Sequence, residues 1–228
     1  KADQIITEPE PLSLEANPLH DQLKAATPLK QSQLESRAKQ YFNDGLPVTD
    51  SLAEVYLSGI SDKGVKENDN IRFHNHVYSS ETRSNHPALI AGLTNSDGEV
   101  NGIEVTYLNG ETGDISDLKI NKRVLGTKSG NSIPINDGIQ ADYSIVAVGI
   151  ENAIHINNHN QENADVVSVP NNRDCRTFDT DNLRENIIIV LNQENTAVND
   201  KLINEITDRL ERDGKHATII EPVDISQN

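Results

Sequence analysis
The densest cluster of residues able to do chemistry is cationic. Lys119, Lys122, Arg123 and Lys128 follow one another with no acid between them, an arrangement that can hold a phosphate backbone through local ion pairs. The competing reading is that they offset the neighbouring Asp114 and Asp117. Histidine supplies two further pairs. His155 and His159 stand at the helical spacing by which two imidazoles chelate a transition metal, but Ile156-Asn157-Asn158 between them offers no glutamate base, so the metalloprotease motif is absent. The asparagine-rich run from Asn157 to Asn163 predicts that the helix stops first, with His159 in a loop and both rings solvated. His74 and His76 alternate to one side of a strand, with no third ligand identifiable. Cys175 is the single cysteine; beside the loop-like Asn171–Asp174 it reads as a structural thiol. Gly92, Gly98, Gly102, Gly110 and Gly113 punctuate hairpins, and no glycine run leads from a strand into a helix as a phosphate cradle would. These motifs predict neither a cofactor nor a metal.

The elements that must position these residues follow from periodicity. Residues 1–30 hold Pro9, Pro11, Pro18 and Pro28 among scattered charges, which predicts a linker or flexible tail. From Gln31, the residues Leu34, Ala38, Tyr41 and Phe42 recur at helical spacing until Gly45 and Pro47, and Thr49 or Asp50 is the expected cap of a second helix over Ser51–Ser58. Between Asn70 and Ile135 the period is two. IRFHNHVY, ALIAGLT, GIEVTYL and SIPI are separated by turn clusters, SDG being a hairpin signal, and together they predict a small antiparallel sheet. After Asp142 the apolar strands YSIVAVGI, ADVVSVP, ENIIIVL and HATIIEP alternate with helical runs over Glu151–Asn158 and Ala197–Asp213. Val198, Leu202, Ile203, Ile206 and Leu210 share one face of the latter run, and Gly214 marks its stop. Continuous apolar strands separated by helices predict a mainly parallel sheet covered on both faces. The expected class is therefore α/β, with such a sheet over 141–228 and a helical plus antiparallel β module over 31–140.

Composition narrows the function. Lys and Arg number 20 against 36 Asp and Glu, a formal charge of −16, and a field of that sign repels nucleic acid, so any grip on it must be local and salt-sensitive. Stacking platforms are scarce: five Tyr, three Phe and no Trp. No apolar run approaches the roughly 20 residues that cross a bilayer, and the first residues lack a signal peptide's apolar stretch, so a cytoplasmic setting without membrane contact is expected. A chain that opens on lysine and contains no methionine reads as a piece of a longer protein.

In the second half, SIVAVGIENAI, ENIIIVLNQEN, the amphipathic helix and the closing strand before EPVD resemble the toprim domain, the fold shared by bacterial primases and topoisomerases. In the first half, RAKQYFNDGLPVTDSLAEVYLSGI, IRFHNHVYSS, HPALIAGLTNSDGEVNGIEVTYL and KRVLGT resemble, in that order, the module that precedes toprim domains in plasmid and phage primase-helicases and in the C-terminal region of conjugative relaxases. The resemblance covers residues 35–222. It implies that Arg72 and His74, within a recurrent Arg-Phe-His pattern, are structural hydrogen-bonders or touch nucleic acid, and its KRVLG part takes in Lys122 and Arg123 of the cationic run.

Active toprim domains carry a glutamate at the end of the first strand and an Asp-x-Asp pair at the end of a later one. Such carboxylates converge on one sheet edge and hold Mg²⁺ through hard oxygen ligands. Here the residue matching the glutamate is Val148. The aspartates are matched by Asn192 and Glu194, or, with one gap, by Val190 and Asn192. Too little charge remains to offset Mg²⁺ dehydration, which implies a catalytically degenerate fold with no cofactor. Glu151 falls on the first turn of the next helix, where a carboxylate complements the dipole. The expected function is a non-catalytic, toprim-like accessory or interaction domain of a conjugative DNA-transfer relaxase or plasmid-type primase-helicase. It would dock on other domains of the same polypeptide or on DNA-transfer and replication proteins, with weak DNA contact. One alternative is a divergent metal-dependent toprim primase or nucleotidyltransferase using Glu151, Glu194 or Asp200 with Mg²⁺. Another is a relaxase recognition or secretion-signal region used in plasmid mobilisation.

Overall fold
Apolar side chains at every second position build the first sheet and set which residues face where. The computed structural model describes residues 18–61, 68–136, 141–159, 164–192 and 200–220. Its first sheet is antiparallel throughout, in the order β1 (Ile71–Ser79), β2 (Ser84–Thr94), β3 (Val100–Tyr107), β4 (Lys122–Gly126). The SDG turn joins β2 to β3 as expected, with Gly98 at φ +78°. Ala88, Ile90, Ile103, Val105 and Tyr107 face Ala38 and Phe42 of α1 (Pro18–Asn43). Leu89, Ala91 and Leu93 face the other way, onto α2 (Leu52–Ile60) and the second sheet.

The second sheet has the order β5 (Ile133–Pro134), β7 (Ala164–Val169), β6 (Tyr143–Val148), β8 (Asn186–Val190), β9 (His216–Ile220), parallel except for β5. Ile145, Ala147 and Val166 on one face pack against Ile150, Ala153 and Ile154 of α3 (Ile150–His159) within the cluster that includes α2 and the first sheet. Val146, Val148, Val167, Ile187 and Ile189 on the other face pack against Leu202, Ile206 and Leu210 of α4 (Asp200–Arg212). The mainly parallel, doubly covered α/β sheet expected from the apolar strands is thus present. Among the described residues no helix is long and apolar enough to cross a membrane.

Several elements depart from the expected pattern. Helix α1 begins at Pro18, inside the expected tail, because proline at the first helical position forfeits no hydrogen bond and Leu23, Lys24, Ala25 and Ala26 are good helix formers. Residues 1–17 lie outside the described residues. The cap of α2 is Ser51 rather than Thr49 or Asp50. The Ala53 amide donates to its Oγ at 3.2 Å, while the Asp50 amide donates to Glu54 Oε2 at 2.7 Å. Asp50 sits at φ +59°, whereas a cap needs the extended backbone that Ser51 adopts.

The remaining departures concern the cations and the SIPI segment. Lys122–Gly126, expected as loop, pairs with β3 as a strand. Ile133–Pro134, expected in the first sheet, instead pairs with Ser168 and Val167 of the second. Pro134 has no N–H and suits a sheet edge, while Ser132, two residues earlier, still exchanges backbone hydrogen bonds of 2.8 and 3.0 Å with Thr94. Register between β3 and β4 depends on glycine: a Cβ on Gly102 would lie 2.5 Å from the Thr127 carbonyl oxygen, opposite Gly126 at φ +89°. Gly102→Ala is therefore expected to cost about 1–3 kcal/mol, read as a lower midpoint in urea unfolding; an unchanged midpoint would mean that the β4 end can move away freely.

Candidate functional site
Strands β6 and β8 point the same way, so Val148, Gly149 and Asn192 reach a common edge of the second sheet. The first sheet faces this edge across a cleft of about 360 Å³, whose lining includes Glu104, Lys122, Lys128, Val148, Glu151 and Asn192. Val148, the residue that the sequence resemblance aligns with the toprim glutamate, is only 3% exposed and belongs to the core beneath α4. Asn192 is pinned to the 3₁₀ turn Asn172–Arg176, its amide donating to Asn172 Oδ1 at 2.9 Å and its carbonyl accepting from Asn172 Nδ2 at 2.6 Å. Glu194 lies outside the described residues.

The cations divide. Lys122 Nζ lies 2.6 Å from Glu151 Oε1, and Lys128 Nζ lies 3.0 Å from Asp174 Oδ1 on the 3₁₀ turn. Their partners are thus acids of the second half rather than Asp114 and Asp117. Arg123 borders the cleft, but its guanidinium turns to the opposite face of the sheet, over the Tyr107 ring at 5.5 Å, with Nη2 donating to the Tyr78 carbonyl at 2.8 Å. Lys119 is not among the lining residues; its backbone amide donates to Glu81 Oε1 at 3.1 Å.

Glu151 stands on the first turn of α3 as expected, and its carboxylate is also engaged across the two sheets. Besides Lys122, it accepts from the Tyr56 hydroxyl of α2 at 2.8 Å. Glu151 therefore ties together α2, α3 and β4, a role that depends on tertiary neighbours invisible from its own helix.

Sequence reasoning passed over Glu104. It occupies the β3 face directed at the second sheet, pairing in register with Val124. The residue is 7% exposed, and its Oε2 has no hydrogen-bond partner among the described residues. Burial pushes its carboxyl up to about 8, reinforced by the Glu151 carboxylate and partly countered by Lys122. At neutral pH it is largely the protonated acid. The available signal was an acid at a position of GIEVTYL whose period-two neighbours face inward.

The other candidates lie away from this cleft. Arg72 stacks over the Phe42 ring at 4.3 Å and donates through Nη1 to the Phe42 carbonyl at 3.2 Å, fastening the end of α1. His74 accepts from the His76 amide at 3.0 Å, meets the Tyr41 ring edge-on at 5.2 Å, and is held below its ordinary pKa by burial. Contrary to expectation, α3 runs through His159, whose ring stacks on that of His155 at 4.3 Å. Cys175 lies in the 3₁₀ turn rather than a loop and is fully buried; burial pushes its thiol up to about 12.

Among the described residues, this lining fits a divalent ion poorly. Among the described residues no three His, Cys, Asp or Glu side chains could hold one ion together, and the strand ends offer a valine and an amide.

Family comparison divides the chain between β5 and β6, within the second sheet. Residues 32–135 match Domain of unknown function (DUF7146), and residues 143–227 match the Toprim domain. No curated protein matches the chain. Among solved structures, the Aquifex aeolicus primase (zinc binding and RNA polymerase domains) superposes with a TM-score of 0.49 at 9% identity, over 90% of this chain and 60% of that one. The E. coli primase catalytic core gives 0.44 at 10% identity, over 85% and 72%. The RNA polymerase domain of Mycobacterium tuberculosis primase DnaG, in complex with double-stranded DNA, gives 0.42 at 13%, over 86% and 74%. The chain thus spans 60% of the Aquifex protein's length. It carries a toprim domain over residues 143–227, preceded by a DUF7146 module over residues 32–135.

Proposed function
We propose that this chain is a catalytically degenerate, primase-like toprim unit that serves as an accessory domain in a DNA-transfer or replication protein, a conjugative relaxase or a plasmid-type primase-helicase. It docks on neighbouring domains or partner proteins of that machinery and contacts nucleic acid through the strand-end cleft. The observation that carries this reading is the exchange of charge at the cleft. Val148 and Asn192 stand where metal-holding acids are expected, and Lys122 and Lys128 of the preceding module line the same space. The relaxase or primase-helicase setting rests on the resemblance of the two modules in their shared order. In the metal-dependent alternative, Glu151 would have to exchange its contacts with Lys122 and Tyr56 for the ion.

The test combines binding with chemistry. A labelled single-stranded oligonucleotide is expected to bind at about 50 mM salt and to be largely released by about 200 mM, because the grip is a short-range ionic one. Lys128→Glu is expected to weaken that binding about tenfold. With ribonucleotides and Mg²⁺ or Mn²⁺, no primer accumulates on a template strand. Metal-dependent primer synthesis by the purified chain would overturn the reading, and so would the absence of any salt-sensitive binding.

A further inference from the structure
The N-terminal end of α3 borders the cleft, whose lining includes Lys122, Lys128, Asn171 and Asn192 as well as the carboxyl groups of Glu104 and Glu151. Gly149 has φ +88°, and a Cβ built there would meet nothing closer than 3.8 Å, its surroundings being Asn192 Nδ2, Asn152 Nδ2 and Glu151 Oε2. The first-turn N–H groups of α3 have no intrahelical acceptors and carry the positive end of the helix dipole. Lys122 and Lys128 line the same space, and Glu104 adds a carboxyl, more than nine-tenths buried, with an oxygen that has no partner among the described residues.

We infer that this cleft seats a phosphate monoester directly, without a bridging metal ion, using the α3 N-terminus, Lys122, Lys128 and the Glu104 carboxyl as its grip. The inference rests on the nucleic-acid reading above and sharpens it. Charge supports it: Lys122 and Lys128 are balanced by Glu151 and Asp174, so the helix end leaves a net positive site only while Glu104 is protonated. Geometry supports a monoester over an internal diester. Donors line it at the helix end, on two lysines and on a protonated Glu104, and a monoester presents three terminal oxygens to them where a diester presents two. A space of about 360 Å³ also suits one nucleotide rather than a continuous strand. Two sources share this chemistry, the 5′ end of a strand and a free nucleotide.

The experiment compares one oligonucleotide with and without a 5′-phosphate on the full chain by fluorescence anisotropy. The phosphorylated strand is expected to bind about tenfold tighter, equally well in EDTA. This preference fades as pH rises from about 7.5 to 9, where the monoester is already a dianion and Glu104 is the group that loses its proton while facing Lys122, Glu151 and Asp174. Glu104→Gln, which keeps a donor, retains the preference and loses its pH dependence. Asn192→Asp, which returns an acid to the seat, abolishes the preference. Competition by a nucleoside 5′-monophosphate separates the sources: displacement at equal concentration assigns the seat to free nucleotides, weaker displacement to strand ends, and either supports the inference. Equal binding of the two oligonucleotides would sink the inference and leave the broader reading standing; binding of neither would sink both. A preference that vanishes in EDTA would also overturn it.

Discussion
Between about pH 5 and pH 9 the protein is expected to lose on the order of 4 kcal/mol of stability that the Glu104→Gln variant keeps. The cause is the carboxyl buried on β3. Its ordinary value is 4.5, and in the folded protein burial, aided by Glu151, raises it to about 8. A raised acid holds its proton in the folded state where the unfolded chain has released it. Stability is therefore fully present below 4.5, declines as pH rises through the interval, and bottoms out above about 8. Against a typical total of about 5–15 kcal/mol, that is a large fraction. Urea midpoints for both proteins across the range measure it directly, and parallel curves would show that Glu104 ionises without penalty, for instance by drawing Lys122 closer.

Phe178→Ala is expected to cost about 3–5 kcal/mol. The ring is 1% exposed and lies in the cluster beneath α4 with Cys175, Leu202 and Leu210. The Arg209 guanidinium sits 4.8 Å above it while also donating to the Phe178 carbonyl. Truncation therefore leaves a cavity and removes a cation–π contact within a half-buried environment. Leu46→Ala at an exposed site is the control, expected to change stability by less than about 0.5 kcal/mol. Calorimetry or urea unfolding separates the two; a Phe178→Ala loss no larger than the control's would mean that the core closes over the missing ring.

What was legible in the sequence was local. Alternation in ALIAGLT and GIEVTYL, the SDG turn between them and the one-sided Leu202, Ile206 and Leu210 each encode their element within a few residues, and each element forms. Val148 and Asn192, which the resemblance to the toprim domain singled out, both line the cleft. Long-range facts were not legible. Nothing adjacent to Glu151 announces Tyr56 or Lys122, nothing near Lys128 announces Asp174, and the sheet that SIPI joins is decided by β7, far along the chain. Glu104 escaped because a single acid in a strand ordinarily points to solvent; only the stacking of two sheets makes its face an interior one.

Strand β5 carries a consequence for how such a protein can be inherited. It belongs by sequence to the DUF7146 region yet completes the sheet of the toprim region. Recombination that grafted residues 141–228 alone onto a new host would leave β7 with a bare flank, a template on which foreign strands can polymerise. The two regions are stitched by a shared thread, so moving one without the other leaves part of a sheet edge unpaired.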